Sequence, residues 1–582
     1  MKYCFDIETD GLLDEATQIW CIVLKNIETN QVYKYYNDTI EEGVAALQNA
    51  NTVIGHNIIA FDLPVVKKLF PNFKYPKNVF DTLVATRLIW ADIKERDFKM
   101  VNKGFPTKLI GRHSLKAWGV RLGNNKQEIE TDWSVFTKEM LEYCVQDVEV
   151  TYTLYNKIIE KNYAKQSLDL EHSLQTICAT MMRNGIGFDL KKAETLYAEL
   201  IQERNDLEAK LNETFPPWEI KTPFIPKVNN KARGYVKGVP FTKVKTITFN
   251  PGSRDHIVDR LKSVKNWKPK DFTADGKPKM DEEILNTLAY PEAKLLSKYF
   301  VIQKRIGMLA EGAQAWLKQE RNNRIYGSIN TNGAVTGRAT HSHPNIAQVP
   351  AVYAPYGKQC RELFCAAENK ILVGVDVSGL ELRMLAHYMA KYDNGEYADI
   401  VVNGDVHTAN QKAAGLETRD LAKRFIYSFL YGAGAAKIGA VVGGNMRDGS
   451  KLKKKFLEQM PALNNLIEAV QEKAERGYLI GLDKRKIAVR AAFSALNTLL
   501  QGSGAIVCKQ WIHELRPIFN DTTKLVAWVH DEIIIETTKE HCDEVAKKAI
   551  DAIRNAGQSL QLRVELTGDA RIGTNWSEIH WK

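Results

Sequence analysis

Asp6 and Glu8 stand two residues apart in the apolar run KYCFDIE, residues 2–8. Such a run predicts a strand, and residues two apart on a strand point to the same face. Two carboxylates on one face repel each other unless a cation lies between them. The pair alone is a weak signal, but three more residues add to it. Asp62 follows in GHNIIAFDLP, residues 55–64, after a loop bearing His56 and Asn57. In EYCVQDVEVTYTLY, residues 142–155, a helical pattern puts Tyr143 and Asp147 one turn apart on a shared face. Taken singly, Asp62 could cap a helix and Asp147 could belong to a solvated face. Together, Asp6, Glu8, Asp62 and Asp147 form an oxygen-rich set suited to two hard divalent cations. Two such cations can activate water on one side of a phosphodiester and stabilise the leaving oxygen on the other.

A second carboxylate pair stands far downstream. Ile371 to Val375 reads as a buried strand that stops at Asp376; Ser378 and Gly379 then turn the chain, and a helical pattern begins at Leu380. A carboxylate at the end of a buried strand is costly unless it is paired or binds a metal. Capping the following helix would also account for it. Residues 524–536, KLVAWVHDEIIIE, read as a hairpin joined at His530-Asp531. Tight hairpin turns favour Asn-Gly or Asp-Gly, so this acidic exception points to function. Asp531 is therefore expected to meet Asp376. Carboxylates on neighbouring strands could hold two Mg²⁺ roughly 4 Å apart. One would activate a primer 3′-hydroxyl, and the other would bridge a triphosphate and its leaving pyrophosphate. Positioning and charge neutralisation do most of the work in phosphoryl transfer.

Between these carboxylates lies TRDLAKRFIYSFLYG, residues 418–432. Arg419, Lys423, Tyr427 and Tyr431 recur at intervals of four, so they form one slowly spiralling stripe, with Phe425, Ile426, Phe429 and Leu430 elsewhere around the helix. Two cations followed by two phenols suit a nucleoside triphosphate, with the phosphates on the cations and the base or sugar against the rings. A solvated basic helix is the plainer reading, but such a helix rarely ends in two aligned tyrosines. The following glycines, GAGAAKIGAVVGG, lack the ending of a phosphate-binding Walker loop.

In this order and spacing, DIE, HNxxxFD and YxxxD resemble the three motifs of DEDD-type 3′–5′ exonucleases of the tyrosine subtype. DVSGLELR, RxxxKxxxYxxxYG and VHDE resemble motifs A, B and C of family A DNA polymerases. The likeness is nearest to the replicative enzymes of short-tailed bacteriophages. It implies an α/β multidomain chain, with an RNase H-like 3′–5′ exonuclease domain followed by a right-hand polymerase domain. The implied spans are exonuclease 1–165; thumb 166–330, with a short basic insertion near 215–250; palm 331–405 and 478–582; and fingers 406–477. The implied activity is template-directed DNA synthesis with proofreading, replicating bacteriophage DNA in the cytoplasm of the infected bacterium.

The resemblance also assigns roles. Asp376 and Asp531 would be the catalytic metal ligands, with the backbone carbonyl of Val377 as a further ligand. Asp6, Glu8, Asp62 and Asp147 would bind the exonuclease metals, and Tyr143 would orient the attacking water. His407, Arg419 and Lys423 would hold the triphosphate, and Tyr431 would sit beside the templating pair. Glu381 would be the steric gate against a ribose 2′-hydroxyl. Tyr427 occupies the position where tyrosine tolerates dideoxynucleotides. Arg338, Gln501 and His530 would touch the primer–template, and Gly432 would let the nascent pair approach the backbone. Two Mg²⁺ per active site are implied, with Mn²⁺ able to substitute. The implied partners are primer–template DNA, dNTPs, a replicative helicase–primase and a single-stranded DNA-binding protein.

The elements that must position these residues can be sketched. Leu168 to Met182 and Ala193 to Phe215 read as amphipathic helices, the second stopped by Pro216 and Pro217. Lys221 to Lys245 contains no Asp or Glu and reads either as a mobile surface loop or as a flexible basic arm touching phosphates. In phage relatives a longer thumb insertion recruits host thioredoxin as a processivity factor. The shorter insertion here does not carry thioredoxin over, and leaves the arm itself or another factor to hold the DNA. Pro291 opens a helix whose stripe of Leu295, Tyr299, Ile302, Ile306 and Leu309 reads as core. Gly333 to Pro350 is a turn-rich connection carrying Arg338.

The 582 residues, 44% hydrophobic and 26% charged, supply cores for three or four domains. A net charge of +10 suits a polyanionic partner. The eight cysteines show no CxxC pair and read as reduced thiols, not a zinc site or disulfide framework. No apolar run reaches membrane-spanning length, and acidic residues from Asp6 onward argue against a signal peptide. A single-subunit RNA polymerase would share the two palm carboxylates, but the exonuclease set and Glu381 argue against it. A non-catalytic DNA-binding protein on an inherited fold is disfavoured, because no metal-ligand position is missing.

Overall fold

The computed structural model describes residues 1–124 and 132–580. The expected exonuclease span includes 125–131 and the expected palm span includes 581–582; these stretches lie outside the described residues. The chain forms two compact units. Among the described residues, one comprises 1–186, 326–347 and 366–580; the other comprises 187–325 and 348–365.

The first unit begins with a five-stranded sheet of order β3-β2-β1-β4-β5. Its strands are β1 (Lys2–Thr9), β2 (Ile19–Asn26), β3 (Val32–Tyr36), β4 (Thr52–Gly55) and β5 (Asn78–Asp81). The β1–β2 and β2–β3 pairs are antiparallel, whereas β1–β4 and β4–β5 are parallel. On β1, Phe5 and Ile7 join a core with Leu24, Val53 and Leu63. Cys4 points the other way and packs with Cys21, Cys144 and Val148. Alternation therefore sends Asp6 and Glu8 to the Cys4 side. Helices α1 (Asp62–Leu69), α2 (Thr82–Ile89) and α3 (Lys138–Glu160) follow. Cys144 and Val148 belong to α3, so its Tyr143–Asp147 turn faces the two β1 carboxylates. Helix α4 (Lys165–Asn184) lies within the expected thumb span but packs into this first unit. Its Leu170, Leu174, Ile177 and Met181 share a core with Val373 and Val375.

The second unit is described by itself. Helices α5 (Leu190–Thr214) and α6 (Pro291–Ile306) pair along their length, with Tyr299 Oη donating to Glu208 Oε1 at 3.0 Å. Tyr299, Ile302, Ile306 and Leu309 are buried as expected, but Leu295 is only half-buried and Leu296 takes its place. The helix register turns that face towards Ala293 and Leu296, and a π turn over Gly307–Glu311 carries Leu309 inward. The stretch from Lys221 to Lys245 is a loop only over 225–240, between two paired strands. It folds as a hairpin of β6 (Trp218–Phe224) and β7 (Phe241–Ile247), in register from Trp218–Ile247 to Phe224–Phe241. The alternating β-branched residues of FTKVKTI favour a strand despite the nearby prolines. At the tip, Tyr235 lies 5.3 Å from Phe224 and 4.9 Å from Phe241, and Lys243 Nζ sits 3.7 Å above Phe224.

The first unit resumes with β8 (Ile371–Val377), α7 (Leu380–Asp393), α8 (Val406–Ala414), α9 (Arg419–Leu430) and α10 (Ala495–Glu514). The hairpin β9 (Lys524–Val529) and β10 (Glu532–Thr537), helix α11 (Cys542–Ser559), β11 (Gly568–Gly573) and helix α12 (Trp576–Ile579) complete it. The sheet order is β9-β10-β8-β11, so β8 is an inner strand. It runs two residues further than the sequence suggests, and Asp376 therefore sits inside the ladder. Ser328–Asn330 pairs with Thr340–Ser342 and brackets the turn carrying Arg338. Among the described residues no helix is long and apolar enough to cross a membrane.

Candidate active sites

The first site is built on β1, α1 and α3. Asp6, Glu8, Asp62, Tyr143 and Asp147 line one cavity of about 240 Å³, together with His56, Asn57, Phe61, Leu115 and Trp133. Asp62 does not cap α1; that position is Phe61, and Asp62 Oδ1 instead accepts the Ile7 N–H at 3.3 Å. This bond ties α1 to the strand carrying the other two carboxylates. Asp62 and Asp147 are almost fully buried. Burial, with Asp81 and Asp147 adding and backbone N–H donors opposing, pushes the Asp62 carboxyl up to about 7. Crowded carboxyls held out of water are what a bound divalent cation neutralises, so the residues fit the expected metals.

Two residues that the motifs do not include complete this site. Cys144, next to Tyr143, places a ligand atom within 4.8 Å of those of Asp6 and Glu8. Its thiol donates to the Asp6 carbonyl at 3.4 Å. Asp81 is buried, and its carboxylate accepts the N–H groups of Asn57, Ile59 and Leu83 at 2.9, 3.1 and 2.9 Å. It therefore shapes the loop bearing His56 and Asn57. The sequence signal was present in Asp81 itself, an N-cap residue before the helical run TLVATRLI.

The second site forms where the β9–β10 hairpin meets β8. Register sets Asp376 between Glu532 on β10 and Asp569 on β11. The Val377 N–H donates to the Asp531 carbonyl at 3.1 Å, which closes the hairpin turn onto the residue after Asp376. Gly379, at φ +58°, occupies the N-cap of α7, so Asp376 is not a helix cap. His530 takes φ +59° in the two-residue turn, the left-handed region that such turns demand. The Trp528 indole N–H fixes the His530 carbonyl at 2.9 Å. Nearby, the Cys508 thiol is pushed far up by burial and then by Asp531, with Glu381 and Asp376 adding and Arg338 opposing. Four charged groups from four segments thus lie within electrostatic reach of Cys508 on α10.

Glu381, in the first turn of α7, accepts a hydrogen bond from Tyr431 Oη at 3.0 Å and faces Arg338 Nη2 at 3.5 Å. Burial and Glu381 together raise the Tyr431 hydroxyl. Asn497 Nδ2 donates to the Tyr431 carbonyl at 3.2 Å, and Gln501 Nε2 to Asn497 Oδ1 at 2.8 Å. Gly432 follows at φ +75°. Burial lowers His530, and Arg338 lowers it further. The stripe on α9 forms as expected: the Tyr427 and Tyr431 rings stack at 6.4 Å, His407 on α8 lies 6.2 Å from Tyr427, and Lys423 is exposed. Arg419 pairs with Asp405 at 2.9 Å. Both partners are exposed, so the pair is weak. Asp405, Asn497 and Asp569 are additions to the expected set. Asp569 accepts the Ser378 hydroxyl at 2.6 Å and so fixes the turn after Asp376.

Residues 237–578 match DNA polymerase family A. The chain is 38% identical to the DNA-directed DNA polymerase of Escherichia phage T7 and 37% identical to that of Enterobacteria phage T3, in each case over 99% of both chains. The chain belongs to DNA polymerase family A. Residues 3–159, which include the first sheet, match the RNase H superfamily. DNA polymerase I of Aquifex aeolicus (strain VF5) is 24% identical over 98% of this chain and 95% of its own. Among solved structures, the POL domain of Pol1 from M. smegmatis, in complex with DNA primer-template and dNTP, has the same fold. It aligns at a TM-score of 0.75 and 16% identity over 99% of this chain and 96% of that chain. The family A architecture thus runs the length of the described chain, with an RNase H-like domain before the polymerase domain.

Proposed function

We propose that this family A polymerase extends a DNA primer with dNTPs at the Asp376–Asp531 site and removes mispaired 3′ ends at the Asp6–Asp147 site. The biological setting is replication of bacteriophage DNA in the cytoplasm of the infected bacterium, beside a helicase–primase and a single-stranded DNA-binding protein. The observation that carries the reading is the Val377 N–H to Asp531 carbonyl bond, because it brings the hairpin turn of Asp531 to the end of the inner strand that carries Asp376.

In the polymerase site, Asp376, Asp531 and the Val377 carbonyl would hold the metals. Two Mg²⁺, with Mn²⁺ able to substitute, supply activation of the attacking hydroxyl and neutralisation of the leaving group when bound. Arg419 and Lys423 bind the triphosphate, with His407 beside them, and the stacked Tyr427–Tyr431 rings flank the base and sugar. Arg338, Gln501 and His530 contact the primer–template, and Gly432 leaves room for the nascent pair. Glu381 sets sugar selectivity. Its carboxylate is held by Tyr431 and Arg338, so it cannot swing away from a 2′-hydroxyl. In Glu381→Ala, ribonucleotide incorporation should rise relative to dNTP incorporation by roughly 10²-fold, about the discrimination that one close contact supplies. Unchanged sugar selectivity in single-nucleotide incorporation would remove the gate role. In the exonuclease site, Asp6, Glu8, Asp62 and Asp147 hold the metals and Tyr143 orients the attacking water.

The basic hairpin is the element we assign to holding DNA, in place of thioredoxin. Lys221, Lys227, Lys231, Arg233, Lys237, Lys243 and Lys245 are all exposed on it. Alignment to the T7 and T3 relatives runs over 704 positions, against 582 residues here, so those enzymes carry segments that this chain lacks. Changing Lys227, Lys231, Lys237 and Lys243 to Gln should flatten the salt dependence of DNA binding by up to about 0.9 per lost phosphate contact and shorten single-encounter products. An unchanged slope and product length, with or without thioredoxin, would dismiss this assignment.

A further inference from the structure

Helix α4 touches the scaffold of each site from two adjacent residues. His172 faces the exonuclease side. Its Nδ1 lies 2.7 Å from the Leu168 carbonyl and so carries the proton, leaving Nε2 to accept the Asp81 N–H at 2.9 Å. The Asp81 carboxylate holds the Asn57 and Ile59 N–H groups, and the neighbouring Thr82 hydroxyl meets His56 Nδ1 at 2.9 Å. His56 and Asn57 line the exonuclease cavity.

Glu171 faces the polymerase side and is fully buried. Its Oε1 accepts from Arg485 Nη1 at 2.7 Å and from Lys509 Nζ. Arg485 also grips both oxygens of Asp483, and Lys509 and Arg485 donate to Asn332 Oδ1 at 2.9 and 3.4 Å. Gly337, at φ +79°, rests on this cluster; a Cβ there would stand 3.3 Å from both Arg485 Nη1 and Asn332 Oδ1. The next residue is Arg338, which faces Glu381. Two further bonds fasten α4 to the polymerase side, Ser167 Oγ to the Asp483 carbonyl at 2.9 Å and Ser173 Oγ with His513 Nδ1 at 2.6 Å.

We propose that α4 is a strut coupling the two active sites, with Glu171 and His172 as positioning residues that set the balance between extension and excision. Two acids and two bases shut away from water cannot shift one at a time, because any unpaired member would be a buried charge. The cluster therefore moves as a unit with the Arg338 turn above it. Packed networks of this kind pass from one arrangement to another instead of deforming smoothly. A turn displaced by a mispaired primer end moves α4, and α4 moves the Asp81-held loop of the exonuclease. The inference rests on the reading of Arg338 as a primer–template contact and on both activities being present.

A double-mutant cycle tests it. Lys509→Met would leave the buried Glu171 with Arg485 alone and disturb the whole charge cluster, so the polymerase-side change is the milder Asn332→Ala, and the exonuclease-side change is His172→Phe. Excision is read on a single-stranded oligonucleotide, which needs no duplex in the polymerase site; extension is read on matched and mismatched primers. Asn332→Ala should change the excision rate, and His172→Phe the rate of extension past a mismatch, each by roughly 2- to 30-fold. The double variant should depart from the product of the singles, and His172→Gln, which keeps an acceptor near the Nε2 position, should restore the unaltered behaviour. Melting curves of each variant separate coupling from loosened folding. If each change affects only the activity of its own side and the effects multiply, the strut is overturned. A failure of the underlying reading would instead show as a missing activity in the unaltered protein.

Discussion

Replacing Asp376 or Asp531 with alanine should abolish primer extension and leave excision of single-stranded DNA intact. The expected loss is at least about a thousandfold in kcat, ~4 kcal/mol of transition-state stabilisation. The size follows from the role. In the proposed mechanism both residues stand where charge develops on the attacking and leaving oxygens, and among the described residues the sheet supplies no ready substitute. Glu532, the neighbouring carboxylate, is already engaged, accepting the Trp576 indole N–H at 2.8 Å and lying 3.1 Å from His580 Nδ1. Asp569 is held by Ser378. Excision should survive, because the exonuclease carboxylates stand on a different sheet and the helices packed on it. Joint loss of both activities would indicate unfolding, and retained extension would remove the assignment. Single-turnover incorporation on a matched primer, beside trimming of an oligonucleotide, measures both.

The reverse change has the reverse effect. Asp6→Ala combined with Glu8→Ala should abolish excision to a similar extent, at least about a thousandfold, while extension of a matched primer stays near its original rate. Removing two like charges from a crowded face relieves repulsion, so the fold is not expected to suffer. Persisting excision in the double variant would place the nuclease elsewhere. This site also carries a pH dependence. Without a bound cation, burial keeps the Asp62 carboxyl protonated below about 7. Cation binding must then displace that proton, so the divalent concentration needed for half-maximal excision should climb as pH falls through 7. A requirement that stays flat between pH 6 and 8 would show that Asp62 is not a ligand.

Much of this arrangement was legible in the residues. The apolar runs ending at Asp376 and Asp531 predicted a strand and a hairpin, and an unfavourable turn sequence marked the second as special. The α9 stripe was equally plain, because spacing by four leaves no freedom once the helix forms. Contacts between distant segments were not legible. Tyr431 and Glu381 lie 50 residues apart, and nothing local says that a phenol will meet that carboxylate. Asp569 was hidden in the same way, since only the β8–β11 register places it opposite Asp376. The basic hairpin was misread because its prolines and glycines suggest a loop, while the pairing of Phe224 with Phe241 depends on a turn that closes over many residues. The packing of α4 was equally concealed. Its apolar face is ordinary, and what ties it to the first unit is a buried glutamate whose partners lie more than 300 residues away.

The central claim is that one chain holds two separate carboxylate sites with opposite effects on a primer end. The most direct measurement uses a 5′-labelled primer with a mismatched 3′ end, annealed to a long template and incubated with the unaltered protein and Mg²⁺. Without dNTPs the primer should shorten; with dNTPs it should first lose the mismatch and then extend along the template. A primer that neither shortens nor extends, or that extends without any trimming in either condition, would contradict the claim.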